Sequence, residues 1–434
     1  KIFETVACLA IYPVGLTYPE CGTCYNILRA LSAIAMTEPM WRSHDLDPTY
    51  DVVIIGGGAH GIATAYYLAT RHGITNVAVL EQKYLGYGAS GRNTAILRSN
   101  YRTEEGIRFY NQSLKLYEDL SQELDFNLMF SQQGHFTLGH STASMAALTT
   151  RAEQNKVVGV DSYMVTPPEI KAMIPEIDIS DHPRYPILGA LYHPPGGIIR
   201  HDAVVWGFAR GADRQGVHIH QLTQVEDILT EGDRVIGVQT NRGTIHCGAV
   251  VSAVAGWTSE VCRKVGLKMP LVTHPLQAFV TQGLKPWLHH VVVSSTLHIY
   301  VSQSDRGELV CGGAVDSFPQ YTLRSTLDVL ESYATHILEL FPILHNIKIQ
   351  RQWAGMCDMT PDYAPIMSSI ETLQNFFVTC GWGTWGFKAS PASGYNMAEL
   401  VATRNTPERI RAFSYDRFLT NRLVGEKAAA SVGS

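Results

Sequence analysis

The chain has 434 residues, 45% hydrophobic and 17% charged, with a formal net charge of −5. This length exceeds one compact core and predicts two domains, while seven Trp, twenty Tyr and fourteen Phe exclude a disordered chain. No basic run stands out, which excludes nucleic acid as a partner; eight scattered cysteines exclude a disulfide framework and fit a reducing, cytoplasmic compartment.

Residues 1–49 read as a leader or extension outside the core. The apolar stretch 6–16 is interrupted by Pro13 and is too short to span a bilayer, so no membrane is expected. Residues 33–35 (Ala-Ile-Ala) have the small-x-small form of a signal cleavage site; with Met36 as the natural start, everything before it would be an upstream extension. Cys21 and Cys24 form a CxxC, but no second pair stands at zinc-ligand spacing, and no metal site is expected.

The first strong element is an apolar strand from Tyr50 that runs into Gly56-Gly57-Gly58-Ala-His-Gly61. A helix over 62–72 follows, ending at Gly73, and then a strand over 76–81 closed by Glu81. This βαβ opening gives each glycine a task. Gly56 permits the tight turn, Gly58 lets the backbone approach a pyrophosphate, and Gly61 lets helix and strand pack closely. Glu81, twenty residues after Gly61, is placed to bind ribose hydroxyls. The pattern predicts a dinucleotide on the helix N-terminus. A second Gly/Ser-rich loop over 86–94 follows, in which Ser90, Arg92, Asn93 and backbone N–H groups can meet a diphosphate. An extended FAD uses such a loop better than NAD does.

Helix 203–210, strand 217–225 (ending in Val225) and strand 250–257 (carrying Gly256 and Trp257) read as further parts of the nucleotide domain, with Val225 and Gly256 expected at the cofactor. Residues 136–195 mix short strands with helices, and 274–342 hold alternating runs and a helix over 327–340, as in a sheet with one covered face. The predicted fold is α/β (α+β). A discontinuous Rossmann-type FAD-binding domain (50–135, 196–273, 349–434) is interleaved with a substrate domain (136–195, 274–348) built on a mixed, largely antiparallel sheet.

Two cations flank Gly-rich segments: Arg98 after the second loop and Lys388 in the late turn, beside Trp382, Trp385 and Phe387. Alone, each reads as an ordinary surface cation. His60 sits inside the phosphate turn, and His218 and His220 share one face of a strand. His201 opens a helix beside Asp202, which could orient its ring. Cys357 reads as a small buried Cys.

Four segments carry a resemblance: DVVIIGGGAHGIATAYYL, GASGRNTAILRSNY, RHDAVVWGFAR and CGWGTWGFKASPASG. They resemble the beta subunits of heterotetrameric sarcosine oxidases, a branch of the D-amino-acid oxidase and glycine oxidase superfamily, from about residue 50 to the C-terminus. The resemblance implies oxidative N-demethylation of sarcosine on non-covalent FAD, with FMN held covalently by His201 and electrons passing onward to oxygen. It places Arg98 and Lys388 on the substrate carboxylate, and Gly383, Thr384, Gly386 and Lys388 at the flavin. It also implies alpha, gamma and delta partners, with NAD and tetrahydrofolate only on a partner subunit. Trp385 stands where the relatives have Gly, which is expected to alter pocket size. A proline, hydroxyproline or opine dehydrogenase beta subunit shares the scaffold. A flavin-binding scaffold subunit without chemistry is the alternative outside the enzymes.

Overall fold

The strand β1 (Thr49–Ile55) is buried at every position from Val52 to Ile55, as a strand covered on both faces must be. It pairs in parallel with the fully buried β2 (Val77–Leu80), and helix α1 (Ala59–His72) makes the crossover. Helix α1 begins three residues before the expected 62, because Gly58, still extended, already serves as its N-cap. It ends at Gly73, whose φ of +66° lets its N–H reach the Leu68 carbonyl. The structure, a computed structural model, describes residues 39–426, and the fold lies in the unit Trp41–Ser434. Cys8, Cys21, Cys24 and Met36 fall outside the described residues.

The first sheet has eight strands. Its path runs Ile366–Ile370, Leu373–Cys380, Arg234–Thr240, Gly243–Ser252, β1, β2 and His218–His220, and Val225–Glu231 pairs beside Arg234–Thr240. The centre is parallel, while hairpins make the antiparallel pairs. The strand expected over 217–225 is two strands. Between them Leu222 takes a φ of +55°, and the N–H groups of Leu222 and Thr223 turn to the carbonyls of Lys83 and Glu81, both at 2.8 Å, so the ladder stops.

The second sheet also has eight strands. In order they are Ile349–Met359, Val272–Gly283, Glu308–Val315, Ile299–Gln303, Val291–Ser294, His135–Gly139, Gly189–His193 and Tyr163–Val165. All pairs are antiparallel except Val291–Ser294 with His135–Gly139, so the sheet is mixed and largely antiparallel, as expected. Helix Leu327–Leu340 closes one face with Tyr333, Ile337 and Leu340. Residues from 349 onward were expected with the nucleotide part, yet Ile349–Met359 lies antiparallel to Val272–Gly283 in this second sheet. Only the hairpin after it returns to the first.

Residues 41–49, expected in the leader, join the folded unit. Arg42 pairs with Asp213 at 3.0 Å, Leu46 packs on the core beneath β1, and Thr49 starts β1 itself. Among the described residues, no helix is long and apolar enough to cross a membrane.

Candidate active site

A cavity of about 580 Å³ opens along the turn after β1 and runs to the second sheet, a size typical of ligand pockets. The turn's glycines stand in different surroundings. Gly56 sits at φ +109°, and a Cβ there would meet the Ala253 carbonyl oxygen at 2.5 Å. A Cβ on Gly61 would lie 2.0 Å from the Gly56 oxygen, so helix and turn touch backbone to backbone. Gly58 differs: a Cβ would meet only Ser90 Oγ, at 3.1 Å, and the residue lines the cavity. Gly56 and Gly61 therefore shape the turn, and Gly58 leaves room for a ligand. Gly57 points its hydrogen toward Leu85 and Glu81, and its N–H donates to Glu81 Oε2 at 3.0 Å.

Glu81 is buried and lines the cavity. Its other oxygen accepts the Lys83 N–H at 2.8 Å, and burial raises its pKa. Each carboxylate oxygen keeps acceptor capacity for ribose hydroxyls. The second loop is tied to the first turn, because Ser90 Oγ accepts the Ala59 N–H at 2.9 Å. Asn93 braces the loop by donating to the Ser90 carbonyl and accepting from Ala95 N–H at 2.6 Å. Arg92 lies over the Tyr87 ring at 4.5 Å and lines the cavity, as do Ser90, Asn93 and Val225. Gly256 does not line it. Its missing side chain instead makes room for Met356, whose Cβ would be 2.7 Å from an added Cβ.

At the other end, Arg98 and Lys388 line the same cavity. Arg98 is buried, lies over the Tyr101 ring at 4.4 Å, and donates to the Asn100 carbonyl at 3.0 Å and to Asn100 Oδ1 at 3.1 Å. Behind it, buried Arg151 donates to the same two acceptors, with Nε 2.7 Å from the carbonyl. Asn100 is thus gripped by two guanidinium groups. Burial, and then the Arg98 charge, hold the Lys388 ammonium well below its usual range; among the described residues it has no carboxylate within ion-pair distance. A bound anion would relieve both cations.

The turn carrying Lys388 hangs on buried Asp358, whose Oδ2 accepts the Gly381 N–H at 2.6 Å. The backbone of Trp382 and Gly383 also bonds this carboxylate, which burial nevertheless raises to about 6. His60 joins that turn to α1. Its Nε2–H donates to the Gly386 carbonyl at 2.9 Å, and its ring stacks on Trp382 at 4.4 Å. Burial lowers its pKa to about 4, so it is neutral.

A protein-family model described as FAD dependent oxidoreductase matches residues 51–400. The chain belongs to that family. The resemblance read from its motifs also holds over nine-tenths of its length. It is 44% identical over 395 residues to the sarcosine oxidase subunit beta of Arthrobacter sp, covering 91% of this chain and 97% of that protein. With the subunit beta of Rhizobium meliloti (strain 1021) the identity is 45% over 389 residues, covering 90% and 93%. Among solved structures, L-proline dehydrogenase from P. horikoshii superposes with a TM-score of 0.82 at 28% identity, covering 87% of this chain and 100% of that one.

This FAD-dependent oxidoreductase has a cavity that fits its cofactor. Gly58 opens onto it, and His60 Nδ1 and Thr384 Oγ1 are buried at its wall without hydrogen-bond partners among the described residues. Such orphaned groups call for a polar ligand. Gly383, Thr384 and Gly386 line the cavity, as do Trp382 and Phe387. Trp385 does not. It is 1% exposed and meets Tyr101 edge-on at 6.2 Å, facing the core, so Trp382 and not Trp385 bounds the pocket. His201 lies outside the cavity at the start of helix His201–Arg214. Asp202 does not hold its ring: that carboxylate pairs with Arg200 at 2.6 Å and caps Ala203 N–H at 2.9 Å. Cys357 is buried in the cavity wall, where burial raises its thiol pKa. His218 and His220 both bond Tyr50 Oη at 3.1 Å, away from the cavity. Sequence reasoning missed Asp358, Asn100, Arg151, His135 and His193. For Asp358 the signal was available, an acid next to Cys357 in a buried strand; the others depend on contacts between distant segments.

Proposed function

We propose that this chain oxidises sarcosine, or a similar small secondary amino acid, by N-demethylation, as the catalytic beta subunit of a sarcosine oxidase. The carrying observation is that Arg98 and Lys388, far apart in sequence, face one cavity with the dinucleotide turn. An Arg fork and a Lys point charge together fix a small carboxylate and leave its amine toward the rest of the cavity. Trp382 and Phe387 exclude water around that amine, and Asp358 and His60 hold the turn that presents Lys388. FAD, when bound, supplies the two-electron acceptor, and FMN proposed on His201 supplies the link onward to oxygen.

His201 suits such an attachment because burial depresses its pKa and keeps a ring nitrogen unprotonated and nucleophilic. Its position outside the cavity favours a second, separate flavin. In this reading the partners are alpha, gamma and delta subunits, with NAD and tetrahydrofolate on alpha. Denaturing gels of the co-expressed complex should show a fluorescent band at this chain's size that disappears in His201→Ala. A band persisting in that variant would move the attachment elsewhere.

A second reading is favoured by the superposition on L-proline dehydrogenase: a proline or opine-type dehydrogenase passing electrons to a carrier. Oxygen consumption with sarcosine supports the first reading. Dye reduction with proline, and no oxygen consumption, supports the second.

A further inference from the structure

The anion end of the cavity holds a group that the reading above does not use. His135 opens the strand His135–Gly139, is only 2% exposed, and lines the cavity together with Arg98, Thr137 and Lys388. Its Nδ1 is fully buried without a hydrogen-bond partner among the described residues. That nitrogen leaves hydrogen-bonding capacity unused in a residue of the cavity wall, and such a group calls for a partner. His135 stands in register with His193 on the neighbouring strand, and Gly196, where an added Cβ would be 2.7 Å from the His135 Cβ, leaves the room the residue occupies.

His193 is not an equivalent candidate, since its polar capacity is used. Its Nδ1–H donates to the Asp161 carbonyl at 2.6 Å, and its Nε2 accepts the Ser99 N–H at 3.2 Å. It is a structural ring behind His135.

We propose that His135 is a further catalytic residue, whose imidazole accepts the N–H of the substrate amine and takes its proton before oxidation. This rests on the reading of Arg98 and Lys388 as the carboxylate site. An aliphatic amino acid arrives at neutral pH as a zwitterion, and its ammonium has no lone pair to support loss of hydride from the adjacent carbon. One N–H bond breaks and one imidazole N–H bond forms; the electron pair stays on the amine nitrogen, and no oxidant is consumed in this step. The charged and titratable groups facing His135 are Arg98, His193, Arg151 and Lys388. Burial first, and these neighbours next, keep the empty-site imidazole neutral. Docking of the carboxylate on Arg98 and Lys388 offsets their repulsion, so proton affinity at His135 rises when the amine is in place.

The test uses FAD-loaded wild-type protein and His135→Asn, which keeps a polar side chain but cannot take up a proton. Anaerobic flavin reduction by saturating sarcosine is followed against pH, and propionate binding is titrated by the flavin absorbance change. Propionate offers the carboxylate without the amine. The expected result is a reduction rate lower by on the order of 100-fold at pH 7, a deficit that closes as the pH passes the pKa of the amine itself, and unchanged propionate affinity. An equal deficit at every pH, no deficit, or a parallel loss of propionate binding overturns the proposal. If wild-type protein fails to bind propionate, the carboxylate site itself is wrong, an outcome distinct from a His135 failure. Should His135→Asn not load FAD, His135→Gln carries the same comparison.

Discussion

The two ends of the cavity are built by opposite means. At the turn after β1, one contiguous stretch makes the site, and the backbone is its working part: Gly56, Gly58 and Gly61 matter for the side chains they lack. At the anion end, the working parts are side chains from separate segments: His135 and Asp358 stand on strands of the second sheet, Arg98 in a loop, Lys388 in a turn, and Arg151 on a helix behind Arg98. A site made of backbone tolerates no bulk. A site made of converging charges tolerates bulk but not a missing partner.

The largest expected effect breaks the first end. Gly61→Ala places a methyl group 2.0 Å from a backbone oxygen and should yield little soluble, FAD-loaded protein. At Gly58 an added Cβ meets only a serine hydroxyl, so Gly58→Val should fold with near-normal secondary structure yet lose FAD. Soluble yield, circular dichroism and flavin content separate the two. Stoichiometric FAD in Gly58→Val would show that the cofactor does not cross this turn.

Next come the charges. Arg98→Ala or Lys388→Ala removes a charged hydrogen-bonding partner worth about 2–4 kcal/mol, or tens- to a thousand-fold in kcat/KM for sarcosine, with the FAD spectrum retained. Arg151→Leu should act more weakly, about tenfold and mainly in KM, since it loosens Asn100 behind Arg98 without touching the ligand. Equal losses from Arg98 and Arg151 variants would mean that Arg151 reaches the ligand itself. The depressed Lys388 ammonium adds a sign. Anion binding should take up a proton, so propionate affinity should fall as the pH rises.

The smallest effect concerns the whole fold. Burial lowers His60 and His220 to about 4 and His193 to about 3. Between those values and the unfolded value of 6.5, the unfolded chain binds more protons than the folded one, so stability rises with pH across that window. The apparent Tm should drop as the pH falls from 6.5 towards 4, and less steeply in His60→Phe. Asp358, raised to about 6, opposes this trend in part.

The contrast also explains how much of the molecule is legible in its sequence. The βαβ unit and the helix Leu327–Leu340 follow from local pattern, because chain neighbours there are also spatial neighbours. The sheet that Ile349–Met359 joins does not follow, since an apolar strand carries no label for its partner. The break at Leu222 depends on carbonyls of Lys83 and Glu81, supplied by another segment. Trp385 could be placed beside Lys388 but not turned toward the core, and Asp202 pairs with Arg200 instead of its neighbour His201. The bracket of Arg98, Asn100 and Arg151 joins a loop to a helix of another region. No local pattern announces it.

The most direct measurement is an anaerobic titration of the purified flavoprotein with sarcosine, following flavin absorbance in wild type and in the Arg98→Ala, Lys388→Ala double variant. Saturable bleaching of the wild-type FAD, strongly weakened in a double variant that still holds its FAD, is the expected result. Wild-type flavin that stays oxidised with sarcosine and with every other small amino acid, or a double variant reduced as readily as wild type, would contradict amine oxidation at this end of the cavity.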